Sequence, residues 1–365
     1  MLRARQQPLH PIAWWSWAGA LAVAASRTTN LLLLALILVV VAWVVTTRRG
    51  DNPWARSFGA LMRLGLFVVF VRLLIQVLFG DRVPGNTWFV IPSVPLPHWA
   101  AGVTIGGPVT AQAVIGALCQ GAQIAVILAC FGAANSLASS FRLLRCVPAG
   151  LYEVAVAVTV AITFTPQVVL SVAHVRDARR LRGRATTGLR GWRGLAVPVL
   201  DGALERSVAL AASMDARGFG RRSTSRRRRA VSAAATLGGL VGLGLGLFVV
   251  LDSGSASGVG IAAVAFGGAL VIGGMAAPSR GSRSHYRPDQ WLWTEWAVLA
   301  AGLVAVAGVI AAGGSDPSPL TQPLYPLGLP AVPISALAGI LLAALPSAIT
   351  PRPSIGRRKL QEAMA

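Results

Sequence analysis

Two arginines, Arg182 and Arg217, are each followed directly by a glycine, Gly183 and Gly218, at the end of a segment with helical period. Glycine in this place closes a helix in the left-handed conformation, and arginine in the last turn complements the helix dipole. Taken alone, each pair is more often a simple cap that stabilises by under about 1 kcal/mol. An exposed guanidinium can also donate several hydrogen bonds to carboxylates or carbonyls of another protein. Because the pattern recurs in adjacent helices, we predict that both ends hold a partner.

The elements that must position these arginines are two amphipathic helices. We predict them at about residues 166–182 and 198–217, with Pro166 and Pro198 in the first turns, where proline is tolerated. The second helix has an apolar, alanine-rich face. Its members are Ala203, Val208, Ala211, Ala212 and Met214. The stretch is too polar to cross a bilayer, yet apolar segments flank it on both sides, so we interpret it as the cytoplasmic part of a membrane protein.

The composition indicates a polytopic membrane protein. Of the 365 residues, 55% are hydrophobic and only 12% are charged, whereas water-soluble domains carry about 25% charged residues. The net charge is +21, and Lys359 is the single lysine, so nearly all basic residues are arginines. They fall mainly between apolar runs, a pattern that the positive-inside rule explains better than nucleic-acid binding does. We therefore predict a plasma-membrane protein that contacts the lipid bilayer and does not bind nucleic acid.

Eight apolar segments are predicted to span the bilayer in an all-α fold. They are residues 12–26, 31–45, 58–80, 112–134, 230–251, 259–277, 291–312 and 331–349. A further apolar segment, 150–164, falls short of the roughly 20 residues that a span requires, and we predict that it lies as a helix on the cytoplasmic membrane face. The Pro- and Gly-rich residues 81–110 are predicted to form a loop outside the hydrocarbon core.

Charge sets the predicted orientation. Residues 171–229 hold fifteen arginines and four acidic residues, and with this stretch inside, eight spans place every basic loop in the cytoplasm. A nine-span alternative would put residues 48–56 and 142–145 outside. The resulting regions are N-terminal transmembrane helices in 1–135, a cytoplasmic coupling region in 136–229, C-terminal transmembrane helices in 230–351 and a basic cytoplasmic tail in 352–365.

The sequence does not predict an enzyme, a cofactor or a metal site. A Walker A motif requires a lysine that reaches the phosphates, and the only lysine lies in the C-terminal tail. The four histidines are scattered, and the three cysteines suggest no disulfide framework.

Gly238, Gly242 and Gly246 fit small-residue packing of membrane helices better than a cofactor loop. Arg63 and Arg72 lie within a predicted span. A substrate pathway and a helix–helix contact are both open for Arg72, with the contact slightly favoured.

Several motifs together carry a resemblance to a known family. The most specific is ALERSVALAASMDARGFG at 203–220; LRG at 181–183, PHWAAGV, ANSL at 134–137, residues 143–148 and RPDQWLWTEW at 287–296 also fit in order. On these residues the sequence resembles the transmembrane T component of energy-coupling factor transporters, the CbiQ-like family, in an actinobacterial-looking form. Two apolar segments within 230–277, and two more from residue 291 onward, depart from the family pattern.

The resemblance implies a non-catalytic scaffold. In the family, two ATP-binding-cassette ATPase subunits dock on two X-Arg-X motifs, and their movement passes to a small membrane S component that captures a vitamin or a transition-metal ion. Carried over, the docking residues are Leu181, Arg182 and Gly183 at the first motif, and Ala216, Arg217 and Gly218 at the second. Three alternatives stay open: a stand-alone secondary transporter, a membrane-bound enzyme, and a basic adaptor that binds nucleic acid or anionic lipid through residues 221–229.

Overall fold

The structure, a computed structural model, describes residues 9–48, 57–79, 85–95, 104–138, 140–147, 151–183, 188–219, 226–252, 258–276, 291–315, 318–325 and 327–350. Its helices are α1 Pro11–Ser26, α2 Leu31–Arg48, α3 Ser57–Phe79, α4 Ala111–Leu137, α5 Ser140–Arg145, α6 Tyr152–Leu181, α7 Gly188–Ala216, α8 Arg226–Asp252, α9 Gly258–Ala276, α10 Trp293–Ser315, α11 Ile334–Leu342 and α12 Pro346–Ile349. This architecture confirms the all-α polytopic class.

Within the described residues, seven helices are long and apolar enough to cross a membrane: α2, α3, α4, α6, α8, α9 and α10. Six of them coincide with predicted spans. The other two predicted spans, 12–26 and 331–349, correspond to shorter apolar helices, α1 and the pair α11–α12. The remaining long helix, α6, is one that we did not predict to cross.

The predicted start of both amphipathic helices is wrong. Pro166 lies inside α6, and Pro198 lies inside α7. Residues 150–164 therefore do not form a separate short helix; they continue into the polar segment as one helix of 30 residues. A proline removes one backbone hydrogen bond, but the apolar half and the polar half of α6 share an uninterrupted helical period on either side of it. The argument from shortness fails, and whether α6 crosses the bilayer stays a prediction from charge.

Residues 81–110, predicted as a loop, contain an antiparallel β-hairpin. Its strands are β1 Thr87–Pro95 and β2 Thr104–Thr110, paired through Thr87 with Thr110 and Phe89 with Val109. The hairpin joins α3 to α4, and α4 begins at the residue that follows β2.

The chain divides into two compact units. The first contains Met1–Leu143 and Pro288–Ala365, and its core lies where α1 meets α4 and α10, with α2 and α11 around them. The largest fully buried side chains of this core are Trp17, Leu21, Leu33, Leu34, Ile37 and Ile340. The indole Nε1 of Trp17 donates to the carbonyl of Ala343, 3.0 Å away, so the one polar atom of this large side chain is satisfied.

The turn between α1 and α2 is polar and buried. Asn30 is 0% exposed, and its Nδ2 donates to the carbonyls of Pro319 at 2.8 Å and Ala331 at 2.9 Å. Thr28 donates to the carbonyl of Leu320 at 2.7 Å. Non-helical backbone at membrane depth is tolerated where protein surrounds it. Helix α1 has 16 residues and is about 24 Å long, which is shorter than the bilayer core of about 30 Å. These contacts allow its end to lie against protein inside the bilayer.

At the other end of this unit, two basic side chains join helix termini. Arg142 donates to the carbonyl of Leu9 at 2.9 Å, and Arg48 donates to the carbonyl of Ser347. The start of α1, the end of α2 and α12 therefore lie on one side of the unit. The predicted inside placement of the basic flanks requires this arrangement.

Glu295, in the first turn of α10, is only 4% exposed. One carboxylate oxygen accepts from the backbone N–H of Leu292 at 3.0 Å and from the hydroxyl of Thr294 at 2.8 Å. The other accepts from the backbone N–H of His10 at 3.4 Å. This carboxylate therefore caps α10 and joins it to the start of α1.

The second unit, Leu144–Arg287, contains α8 and α9 as an antiparallel pair with small residues between the backbones. Ser232, Gly239 and Gly246 recur every seven residues on α8, and Gly267 and Gly274 have the same spacing on α9. The hydroxyl of Ser232 donates to the carbonyl of Gly274 at 2.6 Å. A Cβ on Gly239 would lie 2.7 Å from the backbone nitrogen of Val271. The backbones thus approach too closely for a larger residue.

Small-residue packing is confirmed for this pair, but the predicted residues were only partly right. Gly246 packs against Val264, and Gly242 lies near Gly267, whereas a Cβ on Gly238 would meet nothing within 4 Å. Its neighbour Gly239 takes the packing position because a seven-residue repeat, and not a strict four-residue one, faces α9.

Candidate functional site

The candidate site is built on α6 and α7, which form an antiparallel helical hairpin in the second unit. Three contacts mark its length, because their residue numbers fall along α6 as they rise along α7. From one end to the other they are the guanidinium of Arg179 against Gly194, the hydrogen bond from Arg206 Nη2 to Ser171 Oγ at 2.9 Å, and the ring contact between Tyr152 and Phe219.

This arrangement places the two predicted arginines at opposite ends of the hairpin. Arg182 follows the last residue of α6, while Arg217 lies two residues before Phe219, whose ring contacts Tyr152 at the first residue of α6. A helix of 30 residues is about 45 Å long. The two Arg-Gly ends are therefore separated by roughly the length of α6.

The first end has the predicted cap. Gly183 has φ +64°, in the left-handed region, and its N–H donates to the carbonyl of Arg180 at 3.1 Å. This is one of the two bonds of a Schellman cap. Leu181 is 89% exposed, and Arg182 and Gly183 are exposed too. The three residues of this motif are thus exposed and accessible to another molecule.

The second end has both bonds of the Schellman cap. Gly218 has φ +72°; its N–H donates to Asp215 at 2.8 Å, and the N–H of Phe219 donates to Met214 at 2.9 Å. Ala216 and Arg217 are exposed, and Gly218 is half-buried. The predicted left-handed glycines are therefore confirmed at both ends.

Phe219 belongs to this end, although the sequence reasoning did not single it out. Its ring centroid lies 6.1 Å from that of Tyr152. An apolar residue directly after a left-handed glycine often packs back on its own helix, and this pattern was the available sign. Here the ring contacts the other helix of the hairpin.

The apolar face of α7 differs from the predicted one. Ala203 and Met214 are half-buried, whereas Val208, Ala211 and Ala212 are exposed as expected. The exposed stripe also includes residues missed by the prediction, and it follows spacings of three and four. Its members are Val197, Leu200, Leu204, Val208 and Ala211. Val199, on the opposite side of the helix, is buried, so the contact with α6 determined which face stayed open.

The two ends differ in charge. Residues 176–182 contain four arginines and one aspartate, whereas residues 211–219 contain only Asp215 and Arg217 as charged groups. A surface that binds the first end must therefore compensate several positive charges. A surface that binds the second end needs to compensate only the charge of Arg217.

The two arginines within α3 belong to the first unit. Arg72 donates from Nε to Gln120 Oε1 on α4 at 3.1 Å, and from Nη1 to Gln76 Oε1 at 3.4 Å. Arg63 is exposed. For Arg72 these bonds confirm the helix–helix contact that the sequence slightly favoured over a substrate pathway.

Within the part of the chain that the structure describes, no three His, Cys, Asp or Glu residues come together as a metal site would require. The basic patch at 221–229, considered as a nucleic-acid or lipid site, lies partly outside the described residues.

The long apolar helices define a multi-pass membrane protein, and the family match that follows makes it a transport protein of the plasma membrane. The chain belongs to the CbiQ family, described as cobalt transport protein, whose family model matches residues 4–227, more than half of the chain. The match includes both Arg-Gly ends and stops at the start of α8, so α9 lies outside it. No curated protein matches the sequence.

Proposed function

We propose that this protein is the coupling subunit of an ATP-driven importer. Two ATP-binding-cassette ATPases dock on its two exposed Arg-Gly ends, Leu181–Arg182–Gly183 and Ala216–Arg217–Gly218. Their movement passes through α6 and α7 to a substrate-binding S subunit in the membrane. The protein itself is non-catalytic.

The observation that carries this proposal is the position of the two arginines at opposite ends of one antiparallel hairpin. Two bulky ATPases need docking points that are far apart, and about 45 Å along α6 gives each of them room. Each helix is continuous and therefore carries movement along its axis, and contacts such as that of Arg206 with Ser171 join α6 to α7.

The S subunit is expected to contact the exposed apolar stripe of α7, because Leu200, Leu204 and Val208 are each more than half exposed on one helix face. A vitamin or a transition-metal ion is the substrate class, and the family description favours cobalt. Substrate capture is assigned to the S subunit, as the resemblance to the CbiQ-like family implies.

The test is a double charge reversal, Arg182→Glu with Arg217→Glu. The tagged variant should insert in the membrane but lose its ATPases on affinity purification, because each glutamate repels the acidic or carbonyl-lined groove that the arginine contacts. Either arginine changed alone to Ala should weaken assembly less, since one lost set of charge-assisted bonds costs about 1.5–3 kcal/mol.

A matched control is Arg27→Glu with Arg227→Glu. Both arginines are exposed and lie outside residues 176–182 and 211–219, and the change in net charge is identical. This control should retain the ATPases. Equal retention by both double variants would show that the Arg-Gly ends do not dock them. Substrate uptake by the purified chain alone in liposomes would favour the secondary transporter instead.

A further inference from the structure

The β-hairpin lies directly at the ends of two membrane helices. β2 contacts both α3 and α4, and the backbone N–H of Ala111, the first residue of α4, donates to the carbonyl of Asn86 at 2.9 Å. Gln112 Oε1 accepts from the N–H of Asn86 at 3.0 Å. Because α4 has 27 residues, about 40 Å, its end projects past a hydrocarbon core about 30 Å thick. The base of the hairpin therefore lies close to the membrane boundary.

Strand β1 of the hairpin exposes apolar side chains. Trp88 is 63% exposed, Phe89 is 50% exposed and Val90 is 69% exposed. The register of β1 shifts between Thr87 and Phe89, at Trp88, so these three side chains do not follow simple strand alternation. A strand in water normally carries polar residues on its open side, whereas these three consecutive exposed residues are all apolar.

The surrounding sequence has the same character. Residues 85–110 contain no Asp, Glu, Lys or Arg, whereas surfaces in water are rich in these residues. Elsewhere in this chain, the connections that we assign to the cytoplasm are strongly basic. A long uncharged connection is suited to the boundary layer of the bilayer, where tryptophan is enriched.

We propose that the exposed apolar side chains of Trp88 and Val90 on the β-hairpin lie in the bilayer interface, between the lipid headgroups and the acyl chains. The occupant of this surface is lipid and not a protein partner. Trp88 is placed two residues from the base at Asn86, and a strand rises about 3.3 Å per residue, so its ring stays within the interfacial layer.

The exposed side chains of the neighbouring helix α3 have the same apolar character. Leu66, Phe67 and Phe70 are exposed on that helix, and so is Phe79 at its last residue, as expected of a helix that faces lipid. An interfacial anchor of this kind fixes the depth of the α3–α4 pair in the membrane, and it does not depend on the coupling role.

The test measures the depth of spin labels in liposomes of phosphatidylcholine and phosphatidylglycerol. Cys119, Cys130 and Cys146 are first changed to Ala, and single variants Trp88→Cys and Val90→Cys are labelled with a nitroxide. Collision rates with oxygen and with a water-soluble nickel chelate are then compared. Both labels should collide more with oxygen than with nickel chelate, with a depth between those of two reference positions.

The reference positions are Phe70→Cys, on the exposed side of α3, and Asp177→Cys, on the exposed polar half of α6. A nickel accessibility at 88 and 90 equal to that at 177 would place the hairpin in water and overturn the proposal. Labels that neither reagent reaches would place this surface against protein, in another subunit or a second copy, and would overturn it too.

Discussion

The ring of Phe219 packs on the ring of Tyr152, with centroids 6.1 Å apart and planes inclined by 37°. Phe219 follows the second Arg-Gly end, and Tyr152 is the first residue of α6. The contact therefore joins the Arg-Gly end of α7 to the start of α6. In the proposed coupling role, this contact would pass movement of the Arg217 end to α6.

The first prediction concerns this aromatic contact. Phe219→Ala should weaken ATPase co-purification, because a ring pair contributes about 0.5–1.5 kcal/mol beyond its buried area and its loss frees the Arg217 end. Tyr152→Ala should have a similar effect, and the double variant should be little worse than either single one. Quantitative pull-down of the ATPases measures all three. Strictly additive losses would show that the rings act independently.

The second prediction concerns the left-handed glycine of the first end. A Cβ on Gly183 would meet nothing within 4 Å, so substitution acts only through its φ of +64°. Gly183→Ala should impose about 1–2 kcal/mol of backbone strain and lower ATPase binding without affecting membrane insertion. Gly183→Asn should be milder, because asparagine tolerates this conformation. If both variants bind ATPases as the unchanged protein does, the cap plays no part in docking.

The third prediction uses two adjacent glycines of α8 as a matched pair. Gly239→Ala should lower the midpoint of thermal unfolding in detergent, because its methyl would meet the backbone of Val271 at 2.7 Å and overpacking costs about 1–3 kcal/mol. Gly238→Ala should leave the midpoint unchanged or raise it, since that position is open and alanine favours helix. The reverse order of the two midpoints would contradict the packing of α8 on α9.

The fourth prediction decides whether α6 crosses the bilayer. Arg145→Cys and Asp177→Cys lie before and within α6, and both positions are exposed. With the three native cysteines replaced, both should resist an impermeant maleimide in intact cells and react after permeabilisation, because the basic flanks favour the cytoplasm on both sides. Reaction of one position and not the other in intact cells would show that α6 crosses.

The placement of helices in this chain was largely predictable from its sequence. Apolar runs separated by basic segments located α2, α3, α4, α8, α9 and α10, because a membrane helix satisfies its own backbone and needs only length and apolar composition. The conformation of Gly183 and Gly218 was predictable for a similar reason, since a left-handed cap depends on the glycine and its immediate neighbours.

The sequence was misleading where the preference of proline for a helix start competed with the continuation of a helix through that residue. Pro166 favours a helix start, yet α6 runs through it with 14 residues before it. One lost hydrogen bond did not end the helix, because the segments on both sides continue the same period. The same competition explains Pro198 in α7.

Everything that depends on which helix faces which was decided by the tertiary structure. The choice of Gly239 over Gly238, the burial of Asn30 under the carbonyls of residues 319 and 331, and the pairing of Phe219 with Tyr152 all join residues that are distant in the chain or differ only in rotation about a helix. Period and composition determine that a helix exists, but its contacting face depends on close packing against another element. For the same reason, the sequence located both arginines, while only the antiparallel pairing of α6 with α7 placed them at opposite ends of one hairpin.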